Sequence, residues 1–192
     1  DALDSLPDRQ DFGTRLAAGG DGGAVTVDHE TPGGIHVVAP DGGDFDAIQA
    51  ALDAAGDGDL VWVAPGRYEE TLSWPDATVH LVGAGRGATT VVSDAAPVVG
   101  VAGNSEIRGL TVRNEKTQTE SVDILVHDDD GDLLLRNVRV EYPNTKRVVC
   151  VRNRAGSLTV EESVVHTRSR EAGHAVWVAG GSVVVRRSAL EA

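Results

Sequence analysis

Three stretches of this sequence superimpose without gaps: GDLLLRNVRV (Gly131–Val140), GSLTVEESVV (Gly156–Val165) and GSVVVRRSAL (Gly181–Leu190). Their starts lie 25 residues apart both times. A second family of short apolar runs threads between and before them: VWV (61–63), VHL (79–81), VGV (99–101), ILV (124–126), VCV (149–151) and VWV (176–178). Their spacings are 18, 20, 25, 25 and 27 residues. Periods of this size mark a solenoid or a propeller. A propeller blade needs about 40 residues, and a leucine-rich repeat needs an Asn and a Leu-x-x-Leu-x-Leu frame that this chain lacks. What remains is a coil of two or three short strands, closed by turns and stacked on its neighbours, which is a parallel β-helix of the all-β class.

Local chemistry agrees. Val and Ile suit a half-buried pleated surface. Turn formers punctuate each coil, as in Asp128-Asp129-Asp130-Gly131, Asn153-Arg154-Ala155-Gly156 and Gly180-Gly181. Six coils at about 4.8 Å each give a rod on the order of 29 Å long.

An open coil exposes strand edges and needs a cap. The segment DFDAIQAALDAA predicts one α-helix over about 44–55, with Asp44 as N-cap, Gly56 as C-terminal Gly, and Phe45, Ile48, Leu52 and Ala55 on one face. The C-terminal end shows no such device and stops inside a repeat. The chain therefore divides into an extended N-terminal arm, 1–34, with one strand near Ala24–Val27, and the β-helix, 35–192.

Composition bounds the function. There are 30 acidic and 17 basic side chains, for a net charge of −13. Fifteen of the bases are Arg and 19 of the acids are Asp, a bias like that of salt-loving archaea. Residues 1–96 carry the whole excess, with 17 acids against 4 bases. That half either faces a cation or basic partner or is a solvated surface. The acidity argues against nucleic acid as a partner. No apolar run is long enough to span a bilayer. Cys150 is the lone cysteine, so no internal disulfide forms, and packing between valines reads it as an inert thiol. No Met occurs, which reads as a mature or excised piece with any signal peptide out of view.

Several stretches resemble the opening of pectin methylesterases and other pectin-lyase-like β-helix proteins. They are IHVVAPDGGDFDAIQAALDAA (Ile35–Ala55), VWVAPGRYEE (Val61–Glu70), LVGAGRGATTVV (Leu81–Val92) and IRGLTVRN (Ile107–Asn114). The resemblance covers about 35–190 and is strongest over 35–114. It implies that the β-helix is single-stranded and right-handed, with an N-terminal capping helix. It does not extend to the catalytic segments. Where that family has its general acid, this chain reads Glu141-Tyr142-Pro143-Asn144-Thr145-Lys146, with Asn144 in the acid's place. Where the family has its nucleophile, Val176 stands in Gly173–Gly180. An amide and an isopropyl group perform neither task. No catalytic residue is therefore assigned, no carboxylates are seen recurring at one-coil spacing, and the enzyme reading leans to no.

Two binding features remain. Asp128, Asp129, Asp130 and Asp132 form either a hard-cation site, with Ca2+ as the one candidate cofactor, or a polar turn at a coil corner. The six His residues show no metal-ligand spacing; His80, His127 and His174 read as surface residues near one column. If the flanking valines of VWV point inward, then Trp62, His80, Gly100, Leu125, Cys150 and Trp177 point outward. Trp62, His80, Leu125 and Trp177 are then the expected glycan or partner contacts on an apolar sheet face, unless the N-terminal arm covers it.

The expectation is a non-catalytic halophilic β-helix module, acting as an extracellular structural or recognition protein on a cell surface or virion. Its partner would be a protein, a second copy or a polysaccharide, met through the apolar face or the uncapped last coil. The alternative is a carbohydrate-active enzyme (polysaccharide lyase, esterase or hydrolase) of the pectin-lyase-like group.

Overall fold

The structure, a computed structural model, describes residues 33–116, 122–144, 147–170 and 172–191, and the backbone of 14–16 and 27–29. Most of the expected arm 1–34, and Thr145 and Lys146 of the segment aligned above, lie outside the described residues. Of the strand expected near Ala24–Val27, only Val27 is described. It opens β2 (Val27–His29), which pairs antiparallel with β1 (Thr14–Leu16).

The rest coils into a right-handed parallel β-helix of about six turns. Each full coil contributes one strand to each of three parallel sheets. The seven-stranded sheet holds β3 (Ile35–Val38), β4 (Asp59–Val63), β7 (Val79–Gly83), β10 (Ser105–Arg108), β13 (Asp132–Arg136), β16 (Ser157–Glu161) and β19 (Ser182–Arg186). The six-stranded sheet holds β5 (Gly66–Glu69), β8 (Thr89–Ser93), β11 (Thr111–Asn114), β14 (Arg139–Tyr142), β17 (Val164–Thr167) and β20 (Ala189–Glu191). The five-stranded sheet holds β6 (Leu72–Ser73), β9 (Val99–Val101), β12 (Val122–His127), β15 (Val148–Asn153) and β18 (Gly173–Val178).

Strict register turns the sequence repeat into columns of like side chains. Val61, Leu81, Ile107, Leu135, Val160 and Val185 are consecutive partners in the seven-stranded sheet. The first five are fully buried in one continuous interior. Each such side chain contributes on the order of 1.5–3 kcal/mol through burial. Val185, in the last coil, is 41% exposed.

The corners explain the repeated glycines. A Cβ on Gly156 would run into the Gly131 carbonyl oxygen, and one on Gly181 into that of Gly156. One coil's backbone rests on the next with no space for a side chain. Six residues further along the repeat, between the seven- and six-stranded sheets, Asn137, Glu162 and Arg187 all take positive φ, at 52°, 51° and 47°.

The capping helix α1 spans Ile48–Ala54, shorter than the expected 44–55. Asp44 does not cap it. Ala47, just before Ile48, is extended, Phe45 bridges to Val38, and the Asp44 carboxylate accepts the Val37 N–H instead. Ala47 and Ala55, not Asp44 and Gly56, flank the helix, and neither side chain caps it. The N-terminal N–H groups of Ile48 and Gln49 donate to the two carboxylate oxygens of Glu70, both at 2.9 Å. A residue after the first coil's second strand thus clamps the plug. Ile48, Ala51 and Leu52 close the interior at this end.

Candidate functional site

The four residues expected to share one outward face do not share one. Trp62 and His80 lie on the seven-stranded sheet, Leu125 and Trp177 on the five-stranded sheet. Leu125 is fully buried in the interior, in register with Val99 and Val151. Cys150 also faces the interior, and burial pushes its thiol up to about 12. Trp62 does point outward, opposite in parity to Val61 and Val63, yet it is 0% exposed. His80 is half-buried beside Glu106 at 3.7 Å. His127, expected on the surface, is fully buried.

Trp177 alone remains available, at 41% exposure. It sits on the outer face of β18, in register with Arg152 on β15. The Arg152 guanidinium lies 5.9 Å from the indole centroid. Arg152 is itself fixed by Asp123 on β12, through Nε to Oδ2 at 2.7 Å and Nη2 to Oδ1 at 2.8 Å. His174 meets the indole edge-on at 4.7 Å between centroids. Two neighbours thus orient an exposed aromatic ring on a rigid strand. Such a ring can stack on the apolar face of a sugar, with fixed polar groups beside it.

The four aspartates do not converge. Asp128 pairs with Arg154 at 2.8 Å, and Asp129 accepts the Gly131 N–H at 2.6 Å to close its own turn. Asp132 opens β13, its N–H bound to the Asn104 side chain. Among the described residues no three His, Cys, Asp or Glu side chains are placed to hold a metal ion. The hydrogen bonds at this corner are those of a polar turn.

Asn144 donates to the Lys116 carbonyl at 2.8 Å and fastens a loop. Val176 packs against the interior from β18. Neither position supplies a carboxylate.

One grouping was missed from sequence. A groove of about 420 Å³ runs over the six-stranded sheet, lined among others by Arg113, Arg139, Glu141, His166, Arg168 and Glu191. Arg113, Glu141, His166 and Glu191 are partners on successive strands β11, β14, β17 and β20. Arg113 bonds Glu141 at 3.3 Å, and His166 meets Glu191 at 2.8 Å. Glu141, His166 and Glu191 are 25 residues apart in sequence, so the one-coil period that aligns the glycines also aligns this row.

The coil architecture matches solved structures. Pectin methylesterase PemA from Erwinia chrysanthemi superimposes with a TM-score of 0.55 at 14% identity, over 81% of this chain and 66% of that enzyme. The fold is the pectin-lyase-like parallel β-helix. The chain thus spans just under two thirds of the enzyme's length. The deglycosylated pectin methylesterase from Aspergillus niger gives a TM-score of 0.48 at 15% identity, over 82% of this chain and 76% of that one. No protein-family model and no curated protein matches the sequence. What the pectin-lyase-like likeness carries here is the fold, the parallel β-helical coil.

Proposed function

We propose that this chain is a non-catalytic recognition module of an extracellular surface, cellular or viral, which binds a polysaccharide through Trp177. The observation that carries the reading is the indole held between His174 and the Asp123-fixed Arg152 while 41% exposed. A fixed indole offers a large apolar face with a polar edge, the surface that the apolar side of a sugar ring can cover. The open last coil, with Val185 and Leu190 at 41% and 42% exposure, supports self-association as the way several such weak sites act together. The composition, rich in Asp and poor in Lys, supports a salt-rich medium.

The test is titration of neutral and acidic oligosaccharides in molar KCl, followed by Trp fluorescence and calorimetry. Binding lost in Trp177→Ala and weakened in Asp123→Asn is expected. Saturable binding indifferent to both changes refutes the Trp177 reading. Light scattering of Leu190→Asp against the parent tests the association.

A second reading rests on the Glu141–His166–Glu191 row. Glu141 and Glu191 stand two strands apart, on the order of 9.6 Å at the usual strand spacing. That is near the upper end of the separation used by inverting glycoside hydrolases. Release of reducing ends from a polysaccharide, lost in both Glu141→Gln and Glu191→Gln, would favour this reading over the non-catalytic one.

A further inference from the structure

The five-stranded sheet differs from the other two in charge. Along β6, β9, β12, β15 and β18 the only Asp, Glu, Lys or Arg side chains are Asp123 and Arg152. The six-stranded sheet carries six such residues and the seven-stranded sheet seven. The two on the five-stranded sheet are joined to each other, through Nε and Nη2 of Arg152. Arg154, just past β15, is likewise held by Asp128 at 2.8 Å. Arg147, before β15, stands five residues from Arg152, on the order of 16 Å along the strand. The charged group beside the Trp177 indole is therefore an ion pair, neutral as a unit.

Pair and indole occupy two adjacent rows. Asp123, Val149 and His174 are partners on successive strands, as are Val126, Arg152 and Trp177. Val126 and Val149 are buried, whereas Arg152 and Asp123 keep 24% and 21% of their side-chain surface in solvent. The pair also keeps bonding capacity. Among the described residues Arg152 makes no hydrogen bond through Nη1. Each Asp123 oxygen accepts one bond from Arg152 and has room for another. A donor and an acceptor thus stand side by side next to an apolar ring.

We infer that the Trp177 site selects neutral, hydroxyl-rich sugars and rejects acidic ones; this rests on the Trp177 reading above and adds the class of ligand. A hydroxyl donates and accepts at once, so neighbouring hydroxyls on a sugar ring match the Nη1 N–H of Arg152 and an Asp123 oxygen together. A carboxylate or sulfate only accepts. Its bond to Arg152 would have to compete with Asp123, and it would meet the Asp123 carboxylate as a like charge at close range. Selectivity then comes from the repulsive partner as much as from the attractive one. Salt does not remove it. At molar concentration the screening length is about 3 Å, so long-range attraction vanishes and directly touching groups discriminate.

The test is calorimetric titration of the full chain in molar KCl. Fluorescence is a second readout specific to Trp177, because Trp62 and Trp74 are buried. The probes are neutral oligosaccharides of glucose, mannose and galactose, and, as acidic counterparts, oligogalacturonate and sulfated galactan oligosaccharides. The tightest neutral probe should bind at least about tenfold more strongly than either acidic one, and Trp177→Ala should abolish that binding. Asp123→Asn removes the anion and leaves Arg152 charged, so the acidic-to-neutral affinity ratio should rise about tenfold. Arg152→Gln leaves the anion instead, and acidic probes should stay excluded while the neutral one weakens. The comparison of probes in the unmodified chain decides even if a variant fails to fold. Acidic probes bound through Trp177 as tightly as neutral ones overturn the inference and leave the Trp177 reading standing, as does an unchanged ratio in folded Asp123→Asn. If no probe depends on Trp177, that reading falls and the inference with it.

Discussion

His127 Nδ1 stands 2.7 Å from Asn153 Oδ1, one coil further on, in a corner where both side chains are fully buried. The Asn153 amide NH2 donates to the Gly180 carbonyl of the following turn, at 2.9 Å. Asn153 Oδ1 must then accept, so the His127 proton lies on Nδ1. Three successive coils are stitched by these two buried polar side chains. Asn153→Leu should cost about 2–3 kcal/mol, because it strands the buried His127 donor and removes the partner of the half-buried Gly180 carbonyl. The double change with His127→Leu should cost less than the sum of the two single changes. Urea unfolding midpoints of the four chains measure this, and a loss under about 1 kcal/mol for Asn153→Leu would contradict it.

The glycine column makes a sharper demand. Gly156 combines φ of 63° with a backbone oxygen where Cβ would stand. Gly156→Ala should destabilise by about 3 kcal/mol, from left-handed strain plus overpacking against a backbone that cannot rotate away. Gly87, with nothing near its Cβ and no positive φ, is the control, and Gly87→Ala should be close to neutral. Thermal melts of both variants separate the two cases.

Acid should loosen the first coil. The Gly56 N–H and then the His36 imidazole hold the Asp59 carboxyl below its ordinary range, with the Gly34 N–H adding to them and burial opposing. A carboxyl depressed in the folded state stabilises above its unfolded value, near 4, and loses that contribution as pH falls through the lower folded value. Stability should therefore drop below about pH 4, and Asp59→Asn should flatten part of that drop while lowering stability at neutral pH. Denaturant melts across that range provide the check. Identical pH slopes for the two chains would be the contrary result.

Salt should act in the opposite sense to its usual effect on ion pairs. The net charge of −13 repels itself in the compact state, and added ions screen that repulsion. The surface pairs Arg154–Asp128 and Arg67–Glu115 lose something to the same screening, but exposed pairs contribute only a few tenths to about 1 kcal/mol each. The melting temperature should rise from millimolar to molar KCl. A flat or falling curve would show that the pairs outweigh the repulsion.

The coil was legible because its constraints repeat. Gly131, Gly156 and Gly181 recur at one period since each must meet the backbone of the coil before it. Interior valines and leucines recur because every coil fills the same cross-section. The binding strip was misread for a related reason. The step from Val61 to Val79 is one full turn within a sheet, whereas the similar step from Val79 to Val99 passes to another sheet. Equal spacing concealed the change, and so joined Trp62 and His80 to Leu125 and Trp177. The helix start was misplaced because Asp44 had a nearer backbone donor in Val37, and because the clamp came from Glu70, 22 residues beyond Ile48. The row Glu141, His166, Glu191 obeyed the period but mixed residue types, and a search for like carboxylates passed over it.

The two ends of the described coil stack are unlike: α1 and Glu70 seal one, while Val185 and Leu190 lie open at the other. Each coil touches only its neighbours, so cohesion adds up link by link along the axis. Disassembly then has a direction. Among the described coils, the one formed by β18–β20 has a neighbour on one side only and is the easiest to peel, and its departure leaves the next coil in the same position. Amide hydrogen exchange should form a slope along the rod, fastest in β18–β20 and slowest around β4 and β7. A growing chain meets the same asymmetry in reverse, since the plug and first coil leave the ribosome first and offer every later coil a finished template.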